Sequence, residues 1–353
     1  MEQLINYLSD TVTLPTEEML DSIQNANLGD DVYGEDKTVN QLEALAADML
    51  GMEAACFMPS GTMANLASIL AHCPRGSTVL VGDESDIYIY EAGGASVCGG
   101  IMYHPIKTQP DGRLLLSDLE AAFPIDETDP QFALPALICL ENTHNRCGGK
   151  VLPLLYLREV KEFAMQKNIP IHMDGARIFN AAVNLGIDIK NITQYADSLQ
   201  FCLSKGLSAP IGSMVAGKHK YIEQVRRIRK MLGGGMRQVG IIAAPAIVAL
   251  QKMSLRLHED HNRAKKLANG LANINGIELD SSEVQTNIVM FRVIDPNYDW
   301  AKFLHEAKEQ GVILSEMGYG RIRAVIHRHI TDEDIERTIQ IIESLLKNTS
   351  LMK

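Results

Sequence analysis

Ala196-Asp197-Ser198-Leu199-Gln200-Phe201-Cys202-Leu203-Ser204-Lys205-Gly206-Leu207 is a mostly apolar run that ends in a lysine followed by glycine. Its length and its break at Gly206 predict a buried strand that delivers one amine to the edge of a sheet. Desolvation there would lower the pKa of Lys205 and leave a nucleophilic amine, as imine formation with an aldehyde requires. The plainer alternative is a solvated lysine at a strand end. A second run, Ile169-Pro170-Ile171-His172-Met173-Asp174-Gly175-Ala176-Arg177, reads as a strand ending in Asp174, with a helix from about Ala176. In an open parallel α/β sheet the carboxyl ends of the strands line one crevice, which would bring Asp174 and Lys205 to the same edge. A carboxylate that can pair with a pyridinium nitrogen and an amine that can hold an aldehyde are the two groups that pyridoxal 5'-phosphate (PLP) needs.

The rest of the composition narrows the class. A chain of 353 residues has material for one large domain and a smaller one. Its net charge is −11, and Arg226-Arg227-Ile228-Arg229-Lys230 is the one basic cluster, which argues against a nucleic-acid surface and for small-molecule partners. Met1 to Asn6 has neither a basic nor a long apolar region, and no later run is expected to span a membrane, so a cytoplasmic location without membrane contact is expected. Cys56, Cys73, Cys98, Cys139, Cys147 and Cys202 are scattered without paired metal spacing, and reduced thiols with no metal site are expected.

Along the chain, a short helix is predicted from Glu17 to Asn25. The acidic, glycine-rich loop Gly29 to Asp36 is either a solvated turn or part of a site. Val39, Leu42, Leu45 and Met49 recur at helical spacing and stop at Gly51. Ala54 to Pro59 reads as a strand, and Ser60-Gly61-Thr62 opens the helix Met63 to His72. That opening either places Ser60 as a helix cap or presents backbone N–H groups to an anion such as phosphate. The strand and helix rhythm continues to the apolar strand Leu134 to Leu140, which runs into Glu141-Asn142-Thr143-His144-Asn145. His144 is there either a structural histidine or a crevice residue. Lys218 to Asn273 is helical in pattern, interrupted by Gly233-Gly234-Gly235. With Arg229, Lys230 and Arg237 beside it, that interruption is either a flexible turn or an approach to a phosphate. A boundary near residue 255 divides an N-terminal arm and large, mainly parallel α/β domain (1–254) from a small α+β domain (255–353). In the latter Arg323 lies within the apolar strand Arg321 to Ile326, where a guanidinium needs a carboxylate, internal or from a substrate.

Together these motifs resemble the low-specificity L-threonine aldolases of the aromatic amino acid β-eliminating lyase/threonine aldolase family, which are fold-type I PLP enzymes. The carriers are Gly29-Asp30-Asp31-Val32-Tyr33-Gly34, Pro59-Ser60-Gly61-Thr62, Glu141-Asn142-Thr143-His144-Asn145, Asp174-Gly175-Ala176-Arg177-Ile178-Phe179-Asn180, Leu203-Ser204-Lys205-Gly206 and Lys230-Met231-Leu232-Gly233-Gly234-Gly235-Met236-Arg237-Gln238. The resemblance implies that Lys205 holds the cofactor aldehyde and Asp174 its ring nitrogen, and that Ser60, Gly61 and Thr62 bind its phosphate. It implies that Arg177 contacts the ring oxygen and the substrate carboxylate, which Ser9 and Arg323 also bind. Lys230, Arg237 and Tyr33 would serve a neighbouring subunit in a homotetramer, and His144, or a water it holds, would take the β-hydroxyl proton. The implied reaction cleaves a β-hydroxy-α-amino acid into glycine and an aldehyde. The alternatives are a β-eliminating lyase and a catalytically silent PLP-binding member.

Two positions depart from the pattern. Asp86, in Gly82-Asp83-Glu84-Ser85-Asp86-Ile87-Tyr88, stands where relatives usually carry a ring-facing histidine, and Leu8 stands where many have arginine. Asp86 is expected either to cap the helix that begins near Ile87 or to face the substrate and select a cationic side chain.

Overall fold

In the computed structural model, which describes residues 4–348, seven strands make the central sheet. Their spatial order is Ala54–Met58, Ser213–Gly217, Ser198–Cys202, Ile171–Asp174, Pro135–Glu141, Thr78–Gly82 and Met102–Ile106. The last five run parallel, and Ser213–Gly217 runs antiparallel to both of its neighbours. Every residue of Thr78–Gly82, Ile171–Asp174 and Ser198–Cys202 is buried, as continuous apolar strands covered by helices on both faces must be. The helix Leu154–Lys167 makes one crossover, burying Tyr156, Leu157, Val160, Phe163 and Ala164 along one stripe. The stretch from Leu203 to Gly212 is too short for such a crossover, so the chain turns back as an antiparallel strand. Lys205 rides on that reversal.

A second apolar cluster, including Phe291, Phe303, Ile322 and Ile342, lies between a four-stranded antiparallel sheet and the helices Leu257–Ala272, Trp300–Glu309 and Asp332–Asn348. The N-terminal arm, placed with residues 1–254 by its sequence position, joins this second cluster instead. Ile5–Asn6 pairs in parallel with Val312–Ile313, and Tyr7 is fully buried with its hydroxyl 2.9 Å from Thr338 Oγ1. A two-residue strand has too few contacts to stand alone, and burial of Tyr7 holds the arm down.

The expectation about membrane-spanning runs also needs correction. The 33-residue stretch Gly240–Ala272 reaches the length and apolarity of a span, with 56% of its most apolar window buried. It is broken by the 3-10 turn Met253–Arg256, and Ala243, Ala246 and Leu250 pack into the central core, which accounts for its apolar character.

Candidate active site

A cleft of about 350 Å³ opens at the carboxyl ends of the parallel strands, and Asp174, Lys205, Ser60, Gly61, Thr62 and Asp86 all line it. At one end the helix Gly61–His72 begins, with Ser60 Oγ accepting from the Met63 N–H at 3.2 Å. Ser60 is therefore the N-cap, while the first N–H groups of the helix have no partners within it. Gly61 keeps this end open, because a Cβ there would stand 3.0 Å from Cys202 Sγ.

Asp174 is fixed by three donors. Gln200 Nε2 and the Ala176 N–H donate to Oδ1, the latter at 3.0 Å, and Asn65 Nδ2 donates to Oδ2 at 2.9 Å. Burial raises its carboxyl above the ordinary value, with Lys205 opposing and Asp86 adding to the shift. Behind it runs a buried chain: Asn65 Oδ1 lies 3.1 Å from His172 Nε2, His172 Nδ1 lies 2.9 Å from Ser198 Oγ, and Ser198 Oγ lies 2.8 Å from His72 Nε2. Burial pushes His172 down to about 3 and His72 to about 4, so both imidazoles are neutral near pH 7. Asn65 Nδ2 also donates to Glu91 Oε1 at 2.8 Å, and burial with the nearby Asp174 pushes Glu91 up to about 9.

Lys205 Nζ makes no hydrogen bond or ion pair among the described residues. The expected lowering of its pKa is not what its surroundings produce. Burial pushes the ammonium down, but Cys202, Asp10 and Asp86 outweigh that together with Arg177, and the amine sits above the ordinary lysine value.

Arg177 is buried in a two-pronged pair with Asp10, Nε to Oδ2 and Nη2 to Oδ1, both at 2.7 Å. That leaves Nη1 without a hydrogen bond among the described residues. Ser9 caps the short turn Asp10–Val12, its Oγ accepting from the Thr11 N–H at 3.2 Å. Arg323 donates from Nη1 to Asn145 Oδ1 at 2.6 Å and from Nη2 to the Leu8 carbonyl at 3.0 Å, while its buried Nε has no acceptor. Burial and the neighbouring Arg177 push it down to about 10. Neither of its hydrogen-bond partners is a carboxylate.

Asp86 is the first residue of the helix Asp86–Ile89 and follows the N-cap Ser85, so it is not the cap. Its N–H donates to Glu141 Oε2 at 2.8 Å, and its carboxylate accepts from Asn145 Nδ2 at 3.1 and 3.3 Å. His144 is buried beside Gly112, its Nδ1 has no hydrogen bond, and like Ser9, Arg177 and Arg323 it does not line the cleft. Tyr33 and Lys230 border a separate cavity of about 680 Å³, and the Arg237 guanidinium lies 5.9 Å from the centre of the Tyr33 ring, so none of the three lines the cleft of its own chain.

Sequence reading missed Asn65, Gln200, Asn145 and Asp10. Two left a signal: Asn65 is one helical turn beyond Gly61, and Gln200 lies directly across from Asp174 on the neighbouring strand. A free amine, a three-donor carboxylate and a helix start cleared of side chains fit PLP, holding its aldehyde, ring nitrogen and phosphate respectively.

The sequence pattern of the beta-eliminating lyase family matches residues 6–294. The low-specificity L-threonine aldolase of Escherichia coli strain K12 is 45% identical over 333 residues, covering 94% of this chain and 96% of its own. The low-specificity L-threonine aldolase 1 of Arabidopsis thaliana is 42% identical over 344 residues, covering 97% and 96%. The solved threonine aldolase of Leishmania major superposes with a TM-score of 0.81 at 16% identity, covering 97% of this chain and 99% of that one, and so shares the fold. With the matched pattern reaching from the arm through the first strands of the small domain, the chain belongs to the beta-eliminating lyase family.

Proposed function

We infer that the protein is a PLP-dependent carbon–carbon lyase that cleaves a β-hydroxy-α-amino acid into glycine and an aldehyde. The observation that carries this reading is the meeting of Lys205, Asp174 and the Gly61 helix start in one cleft. The two relatives named L-threonine aldolases support the bond that is cleaved. PLP supplies an aldehyde for a primary amine and a ring that accepts electrons when a bond at Cα breaks. Lys205 is the amine, and Asp174, locked by Asn65, Gln200 and Ala176, keeps the ring nitrogen protonated. Gly61 and Thr62 offer backbone N–H groups and the positive end of a helix dipole to the phosphate. Arg323 has an unpartnered donor for the substrate carboxylate, and Ser9 follows Leu8, whose carbonyl accepts from Arg323. Holding the carboxylate fixes which Cα bond stands perpendicular to the ring.

Reconstitution with PLP should give a visible absorbance band that Lys205→Ala lacks, and borohydride reduction should leave the pyridoxyl group on Lys205. Turnover of β-hydroxy-α-amino acids should release glycine and aldehyde, falling about 10³-fold or more in Lys205→Ala. The family's description supports β-elimination as a second reading; a 2-oxo acid and ammonia in place of glycine would establish it.

Tyr33, Lys230 and Arg237 serve the cleft of a second copy in this reading, within a homotetramer. Their absence from the cleft lining of their own chain and the 74% exposure of Tyr33 support this. Co-expressed Lys205→Ala and Lys230→Ala chains should recover part of the activity that each lacks alone, because one wild-type site forms between them. No recovery would refute sharing.

A further inference from the structure

We propose that the cleft takes amino acids whose side chain carries a positive charge, with the carboxylate of Asp86 as the group that receives it. The proposal rests on the PLP-dependent reading above and adds to it the class of the substrate's side chain.

Asp86, which lines the cleft, is joined by one amide to Arg323, which does not. Asn145 accepts from Arg323 Nη1 through Oδ1 and donates to Asp86 through Nδ2, at 2.6 and 3.1 Å. The Asn145 N–H is itself held by Glu141 Oε1 at 2.8 Å, and Glu141 Oε2 holds the Asp86 N–H. The amide is thus pinned at both ends, and a guanidinium and a carboxylate stand a single amide apart. Neither makes a direct ion pair among the described residues, although Asp10 and Asp86 both act on Arg323 at longer range. Arg323 is 8% exposed, with a buried Nε that has no acceptor. Asp86 lines the cleft and makes no ion pair among the described residues. Arg146, which stacks on Tyr90 beside Asp86, is already taken by Glu84 Oε2 at 2.5 Å and by the Tyr90 hydroxyl at 2.7 Å.

Two opposite charges held at a fixed spacing, both unpaired, describe the complement of a ligand with charges of its own at matching places. The α-carboxylate meets Arg323. A neutral side chain would then leave the half-buried Asp86 carboxylate without a counter-ion, whereas an ammonium or guanidinium would satisfy it. The cleft-lining face of Tyr90 adds an aromatic surface that suits a cation. Glu91 and Glu141, the other acids near Asp86, are both held above the ordinary carboxyl value by burial, which leaves Asp86 as the acceptor.

The PLP-loaded protein would be titrated with amino acids that cannot undergo retro-aldol cleavage, following the cofactor absorbance. L-2,4-diaminobutyrate should bind more tightly than L-2-aminobutyrate, and L-ornithine more tightly than L-norvaline, each by about tenfold or more, as a charge-assisted hydrogen bond gives. Asp86→Asn, still showing the cofactor band, should erase the difference by weakening the cationic ligands alone. Equal affinity within each pair in the wild type overturns the proposal, whatever the variant does. So does a preference that survives Asp86→Asn, or a variant that weakens both members of a pair alike, which would mark Asp86 as a structural or reaction group. Failure of the underlying reading is distinct, because no cofactor band would form at all.

Discussion

At the scale of single residues, the pair of Asp10 with Arg177 holds the site's geometry. Burial alone would push the Asp10 carboxyl up, but the Arg177 guanidinium, with Lys205 and Arg323, holds it well below the usual carboxylate range. Two buried charges in a fork leave Arg177 one rotamer and direct its remaining amino group. Asp10→Asn should therefore destabilise by about 3 kcal/mol or more, the cost of leaving a buried guanidinium without its charge partner. Urea denaturation of the loaded protein measures it, and a change under 1 kcal/mol would show that the pair does little. Asp10 was unreadable from sequence because its partner lies 167 positions away. Asn145 was hidden in the same way, as its two partners are separated from it by 59 and 178 positions. Lys205 and Asp174 were legible because each closes an apolar run, Asp174 as the last residue of its strand and Lys205 just past the end of Ser198–Cys202, and the end of such a run is a local signal.

Elements show the same division. Parallel strands and crossover helices emerged from period and length, but the strand read as reaching Lys205 ends at Cys202. The antiparallel return Ser213–Gly217 depends on Gly212, whose φ of +109° suits glycine and whose Cβ, if present, would stand 2.5 Å from Phe57 Cε2. Gly212→Ala should cost about 2 kcal/mol or more from the backbone and the clash together, and should weaken cofactor retention, since Gly212 and Ile211 line the cleft. Denaturation midpoint and PLP dissociation should move together. Ordinary PLP retention in a destabilised variant would separate the turn from the site. The arm's pairing was not legible in sequence because a two-residue strand carries no periodicity that names its sheet. Tyr7→Ala should lower stability by about 3 kcal/mol, in line with emptying a fully buried aromatic site, and an unaltered melting temperature would contradict the arm's packing.

For the whole molecule, the neutral buried histidines set an acid limit. His172 and His72 fall from an ordinary 6.5 to about 3 and about 4, so unfolded chains bind more protons than folded ones in that window. Both values are depressed, so the stability they contribute is complete above pH 6.5 and is lost as pH falls through about 4 and then about 3. Melting temperature should decline over that interval, and His72→Gln should make the decline shallower by up to ~1.4 kcal/mol per pH unit. A parallel slope in the variant would remove His72 from the account. Two apolar clusters, one spanning Met19 to Leu257 and the other Ala264 to Leu346 with Ile5 and Tyr7, make up most of the interior.

The arm's partners come from the far end of the chain, with Tyr7 and Thr338 separated by 331 positions. On the ribosome, residues 5–7 must wait for residues 312–338 to be made before they meet these partners. Ser9 and Asp10 follow directly on that arm, and a nascent chain stalled before Val312 would lack the seat that aligns them.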